Sequence, residues 1–366
     1  MHDGNVLTQL AAQLSDWAAE LGFSALGMAA AHDAELRNAH ARYADWLKQG
    51  RHGEMDYMAR NADLRARPES LLANAQSVIS VALAYWPEQG LARALSTLAH
   101  PERAYISRYA LGRDYHKIMR RRLNALARRM ESAIGPFAWR VCVDSAPVLE
   151  VAFARQGGLG WRGKHTLLLS RQGSFHFLGE LYTSLPPPAG EKPAVSHCGT
   201  CNRCLRACPT QAIVAPYEVD ARRCIAYLTI EHPGSIPEAL RPAVGNRIYG
   251  CDDCQIVCPW NRSAPAGDAA FLCRDALALD AASLVELMAW EETDFLDKLT
   301  GSPIRRIGHQ RWLRNIAVAL GNCPPKPEVL RALGARIEHP SALVREHVGW
   351  ALARIRGGNA ANAHPP

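Results

Sequence analysis

The sequence predicts an α/β or α+β domain, then a small cysteine-rich unit, then a wholly helical region, within a chain of 366 residues. Three observations predict it. Helical and strand periodicities alternate as far as Ser184, eight of the 11 cysteines crowd between Cys198 and Cys258, and only helical spacing remains from Ala281 onward. The length exceeds one typical domain, and the apolar content is ample for more than one core.

The first helix is read from Leu7, Leu10, Ala11, Leu14, Trp17, Ala18 and Leu21, which share one face, with Gly22 placed to cap its end. Ala25–Ala29 follows as a short strand, Ala34–Lys48 as a second helix, and Val78–Tyr85 as a buried strand rich in branched residues that stops before Pro87. Tyr115–Ile134 reads as a basic helix, Trp139–Asp144 as a strand and Val148–Arg155 as a helix. His165–Ser170 and Phe175–Ser184 read as a hairpin pair. Pro186, Pro187, Pro188, Gly190 and Pro193 form a stiff connector, so the expected units are residues 1–190, 191–262 and 263–366. In the last of them Ile316–Gly321 (IAVALG) resembles Val348–Ala353 (VGWALA) at an offset of 32 residues, the pattern of two stacked helical hairpins of HEAT-like character.

The most apolar stretches, such as Val78–Trp86, are about half the length that a membrane-spanning helix needs, and the N-terminus lacks a basic start followed by an apolar run. A cytoplasmic protein with no membrane partner is expected, a monomer by default. Eleven cysteines without an export signal point to metal ligation in a reducing compartment, not to a disulfide framework. The net charge of +7 is segregated. Pro101–Met130 holds nine Lys/Arg against two acids and Gly301–Arg356 ten against three, a pattern suited either to a polyanion such as nucleic acid or to solvated helix faces.

Cys198, Cys201, Cys204 and Cys208 before Pro209 spell CxxCxxCxxxCP, and Cys251, Cys254 and Cys258 before Pro259 spell CxxCxxxCP. Paired runs of this kind are the signature of a ferredoxin-like unit with two [4Fe-4S] clusters, in which the cysteine before proline turns to the neighbouring cluster. By that crossover, Cys198, Cys201, Cys204 and Cys258 hold one cluster and Cys208, Cys251 and Cys254 the other. Cys224 completes the second set, because Ile248 stands where the second run would place its first cysteine. Zinc is the competing reading, but zinc knuckles are spaced a dozen or more residues apart and need no CP. Cys142, Cys273 and Cys323 fall outside the pattern and read as ordinary buried thiols.

HGEMDYMARNADLRARP (His52–Pro68), SRYALGRDYHK (Ser107–Lys117), VDSAPVLE (Val143–Glu150), GLGWRGKHTLLL (Gly158–Leu169), VDARRCIAYLTIE (Val219–Glu231), GNRIYGCDDCQIVCPWN (Gly245–Asn261) and IRRIGHQRWLRNIAVALGN (Ile304–Asn322) closely resemble the epoxyqueuosine reductase family. The resemblance implies reduction of epoxyqueuosine to queuosine at the wobble position of tRNA. It also implies a nitroreductase-like cobalamin domain ahead of the clusters and a proton from Asp144. Asp144 could otherwise cap the helix expected at 148–155. Arg60 matches the family's cobalamin-contacting arginine. Lys164 and His165, after the glycine-rich turn, are placed to approach a flat cofactor, and Leu168 and Leu178 to pack on it. The glycines could equally shape a hairpin, and the leucines belong to the core. Tyr115 and His116 either face the substrate or cap the basic helix.

Asp252 and Asp253, beside an anionic cluster, are expected to bond the neighbouring cofactor domain, with Gln255 a further candidate. No DxHxxG motif offers a histidine to cobalt, so the resemblance implies base-off cobalamin. Arg305, Arg306, Arg311 and Arg314, with Trp312 among them, are expected to form a tRNA-contacting face, and Arg120, Arg121 and Arg122 a second patch. The electron donor is expected to be of flavodoxin or ferredoxin type. Two other readings stand beside this one: a reductive dehalogenase-like enzyme for a small molecule, and an electron-transfer subunit.

Overall fold

The computed structural model describes residues 4–187, 193–274 and 277–357, with backbone alone at 4–9, 11 and 12. The Leu7 and Ala11 side chains and the Pro188 and Gly190 part of the connector lie outside the described residues. Helix α1 (Gly4–Glu20) ends at Gly22, whose φ of +83° is the left-handed cap expected there. Strand β1 (Ala25–Ala30) leads to α2 (Ala34–Lys48), where Asp33 Oδ1 caps by accepting the Glu35 amide at 2.7 Å. Two short helices, α3 (Asp56–Arg60) and α4 (Ala62–Ala66), precede β2 (Ser77–Ala84). After α5 (Gly90–Ala99) and β3 (Tyr105–Ile106) comes α6 (Tyr115–Ile134), which buries Ile118, Met119, Leu123, Leu126, Ala127 and Met130 at helical spacing. Then follow β4 (Trp139–Cys142), α7 (Glu150–Gln156), β5 (Trp161–Arg162), β6 (Leu168–Leu169) and β7 (His176–Thr183).

Four of these strands form an antiparallel sheet in the order β1-β2-β7-β4. The hairpin expected of residues 165–184 does not form. β6 pairs with β5, while β7 lies between β2 and β4. The period-2 alternation of β7 therefore divides two layers. Phe177 and Leu181 join the core under α1 and α6, and Gly179 leaves room for Met119 and Leu123 of α6. His176, Leu178, Glu180 and Tyr182 point the other way, toward the layer where Phe153 and Ala154 of α7 pack. In register, Glu180 faces Ser80 on one side and Cys142 on the other.

The cysteine-rich unit contains α8 (Arg203–Ala207), a small ribbon of β8 (Ile213–Ala215) and β9 (Glu218–Val219), a π-helical turn at Tyr227–Glu231, α9 (Arg241–Val244), β10 (Arg247–Tyr249) and α10 (Asp253–Ile256). β10 pairs in parallel with β3 of the first unit. The helical region comprises α11 (Leu284–Met288), α12 (Glu292–Lys298), α13 (Gly308–Gly321), α14 (Pro327–Gly334) and α15 (Ala342–Gly357). Its two similar segments lie on α13 and α15, which pack on each other where Gly321 admits Trp350 and Ala351. Ala104, Ile106, Ala110 and Leu111 share the core of this region, so the first and last units interlock. No helix among the described residues is long and apolar enough to cross a membrane.

Candidate active site and cluster-binding unit

The turn after β4 places Asp144 at φ +38°, a left-handed conformation that aspartate tolerates better than bulky residues. Its carboxylate is half exposed (53%) and does not cap α7, which starts after Leu149 with no side-chain cap. Instead, Asp144 Oδ2 accepts from Tyr115 Oη at 2.6 Å and from His116 Nε2 at 2.8 Å. Its own amide donates to Glu150 Oε1 at 3.1 Å. Asp114 is the residue that caps α6, through the His116 amide, and its Oδ1 also lies 2.7 Å from His116 Nδ1. Tyr115 is fixed by stacking on Phe177, ring centroids 4.1 Å apart.

Both nitrogens of His116 thus face carboxylates, which only accept, so the ring carries both protons. Burial opposes that charge, but Asp114 and Asp144 outweigh it and raise the imidazole to about 9. Burial alone would lift Asp144, yet its bonds to His116 and Tyr115 and the charge of Arg306 hold it below the usual carboxylate range. Behind it, burial and then the Asp144 charge push Glu150 up to about 8. Glu180 is fully buried, neither carboxyl oxygen has a partner among the described residues, and burial drives it far up. It is a neutral acid at ordinary pH.

Neither Glu150 nor Glu180 is among the sequence-derived candidates. Glu150 closes the VDSAPVLE block, and Glu180 interrupts the otherwise apolar FLGELY. A rim completes the site: Tyr57, 43% exposed after Met55, feels the charges of Glu231, Arg306, Asp144 and Arg65. Arg306 is ion-paired with Glu231 and acts on Tyr249 and Tyr109. Charges from the cysteine-rich unit and the helical region thus act on the same site as Asp144.

The other candidates divide. Arg60 is exposed at the end of α3, while Arg65 exerts its charge on Glu150. Lys164 Nζ turns to the cysteine loop, donating to the carbonyls of Gly199 and Cys201 at 2.7 and 2.9 Å. His165 is buried and neutral, pushed by burial down to about 4; its Nδ1 accepts the Leu167 amide at 3.2 Å, and its Nε2 has no partner among the described residues. Leu168 and Leu178 pack with Ala82, Ala154 and Leu159. His176, on the same face of β7 as Leu178, also has an unpartnered buried Nε2.

Asp252 reaches into the first unit as expected, accepting Tyr105 Oη at 2.8 Å, Ser107 Oγ at 2.5 Å and the Arg108 amide at 2.9 Å. Gln255 Nε2 donates to Ser174 O at 2.9 Å. Asp253 does not cross over: it is paired with Arg247 of its own unit at 2.5 and 2.7 Å.

The expected basic face is corrected in part. Trp312 and Arg314 are fully buried. Arg314 donates to the carbonyls of Leu228, His232 and Gly234 in and after the π-helical turn, and so is withheld from any phosphate. Arg311 is likewise bound to the carbonyls of Ile307 and Ile230. Arg305, Arg120 and Arg121 remain exposed, and Arg122 is paired with Asp268 at 2.5 Å.

The thiols fall into two neighbourhoods. Beyond burial, Cys204 is influenced by Cys258 and Cys198, and Cys258 by Cys198 and Cys201. Cys254 is influenced by Cys224 and Cys208, and Cys251 packs with Cys224 against one small core. No three His, Cys, Asp or Glu among the described residues are grouped tightly enough for a single metal ion. Cys142 and Cys323 are buried as expected, whereas Cys273 is only partly buried, at the edge of the helical core.

A family model described as Epoxyqueuosine reductase QueG, DUF1730, matches residues 65–145, and one described as a 4Fe-4S double cluster binding domain matches residues 197–261. Among curated proteins, the epoxyqueuosine reductase of Pseudomonas aeruginosa is 54% identical over 348 residues, covering 94% of each chain. That of Escherichia coli is 51% identical, covering 95% of this chain and 90% of its own. Among solved structures, an epoxyqueuosine reductase from Bacillus subtilis with its catalytic aspartate loop swung out of the active site is 27% identical, with a TM-score of 0.83. An epoxyqueuosine reductase with an epoxyqueuosine-modified tRNA stem loop is 26% identical, also at 0.83; each match covers 95% of this chain and 91% of the other.

Proposed function

The chain belongs to the epoxyqueuosine reductase family, and from that premise we propose that it removes the epoxide oxygen of epoxyqueuosine at the wobble position of tRNA, with Asp144 giving a proton to the departing oxygen. The observation that carries the residue assignment is the half-exposed Asp144 carboxylate, held in a left-handed turn by Tyr115 and His116 instead of capping a helix. The aspartate loop named for the Bacillus subtilis relative supports it.

Cobalamin is the proposed cofactor. Its fit rests on a face that is apolar at Leu168 and Leu178 yet carries unpartnered buried nitrogens at His165 and His176, a mixture suited to a flat ring with an amide-bearing rim. His165, Leu168 and Leu178 would hold it, with Arg60 at the rim. When bound, it supplies a strongly reducing cobalt centre matched to a strained epoxide. The two clusters that the eight cysteines would hold relay electrons, one at a time, from a carrier of flavodoxin or ferredoxin type.

Exposed Arg305, Arg120 and Arg121 are the proposed phosphate contacts, which orient tRNA without reading its bases. Tyr57, Arg306 and Glu231, which act on one another through charge, are the proposed surroundings of the unstacked nucleotide. The test is anaerobic incubation of the loaded protein with a reductant and tRNA carrying epoxyqueuosine, followed by mass spectrometry of the nucleosides. Queuosine should replace epoxyqueuosine; its failure to appear would defeat the assignment.

A further inference from the structure

Removing an epoxide oxygen as water consumes two electrons and two protons: both C–O bonds break, an alkene is left, and the oxygen departs with two hydrogens. The electrons come from a one-electron carrier through the clusters. The protons need a source, and one carboxyl brings one at a time. Asp144 is a poor reservoir in itself, since its neighbours hold it ionised.

Resting on the function proposed above, we propose that His116 is the proton reserve of the reaction, reloading the Asp144 carboxyl through the Nε2–H···Oδ2 bond while Asp114 holds Nδ1. The geometry is a continuous carboxylate–imidazolium–carboxylate line, 2.7 Å on one side of the ring and 2.8 Å on the other. As charge develops on the leaving oxygen, the proton crosses from Nε2 to Oδ2 and the carboxyl so formed passes it on, leaving Asp144 ionised and the ring neutral. Solvent then restores the half-buried ring for the second transfer.

The other groups facing this line do not serve. Tyr115 bonds the same oxygen at 2.6 Å, but burial and the Asp144 charge keep its phenol protonated. Glu150 bonds the Asp144 amide, not its carboxyl. Lys117 acts on Asp114 and Arg306 on Asp144 through charge alone. His116 is thus a positioning and proton-supplying residue behind Asp144.

The test is the pH dependence of the reduction rate with saturating tRNA in the loaded protein, for wild type, Asp114→Asn, His116→Gln and His116→Ala. Wild-type rate should fall as pH rises through about 9, where the imidazolium is lost. Asp114→Asn removes the carboxylate that raises the ring, so its falling limb should move down by about one pH unit or more. His116→Gln should lose about 100-fold in rate with tRNA affinity and iron content unchanged, and added imidazole should restore part of the His116→Ala rate. Wild-type turnover with an unmoved limb in Asp114→Asn, or a fully active His116→Gln, would overturn this inference alone. A wild type that leaves epoxyqueuosine intact would overturn the function and this inference with it.

Discussion

Asp144 combines three features that rarely meet in a structural aspartate: a left-handed backbone, a half-exposed carboxylate and two donors on a single oxygen. Asp144→Asn keeps the size of the side chain but removes the transferable proton. It should lower turnover by about 100-fold or more with iron content and tRNA affinity retained, as rapid-quench kinetics and binding titrations would report. Glu180 makes a different statement. Its folded pKa is raised above its unfolded value, so the folded state binds more protons and stability falls as pH climbs above the ordinary carboxylate range. Glu180→Gln removes that loss. Its melting temperature should exceed that of wild type at pH 8 and match it near pH 4, in paired thermal melts. Asp144 was legible only through its motif, and the sequence left the helix-cap alternative open. Glu180 went unread because alternation identifies the face of a strand but not what covers it.

At the scale of elements, α2 and α6 were legible to the residue because Asp33, Asp114 and Gly135 punctuate the chain, whereas α7, expected over Val148–Arg155, runs Glu150–Gln156 and has no capping side chain to mark its start. Pairing was not legible. β6 and β7 alternate as strands should, but their partners lie far along the chain, and local pattern carries no information on a distant edge. Helix α13 shows the same limit for charge. Arg311 and Arg314 look like a solvent face until the π-helical turn is seen to cover them. Arg314→Lys replaces the guanidinium fork, whose two nitrogens reach three carbonyls, with a single ammonium and should destabilise the protein by about 2–4 kcal/mol. Arg305→Ala should leave stability within about 0.5 kcal/mol while weakening tRNA binding and flattening its salt dependence. Chemical denaturation and binding across a salt series distinguish the two.

Over the whole molecule, the site exists because three units lock together. β3 pairs with β10, Asp252 binds the 105–108 segment, Gln255 and Asn261 hold Ser174, and Arg306 reaches back toward Asp144. The order of units was readable from the shift in periodicity and the cysteine spacing, whereas their interlocking depends on buried polar pairs such as Asp252 with Ser107, which no spacing announces. Everything proposed for the reaction depends on paired cubanes held by crossed cysteine sets. The most direct check is iron and acid-labile sulfide analysis of anaerobically purified protein, wild type beside Cys224→Ser. About eight irons and eight sulfides per chain are expected for wild type, with a clear drop toward about four in the variant. Zinc in their place, or a wild type with about four irons that Cys224→Ser leaves unchanged, would contradict it.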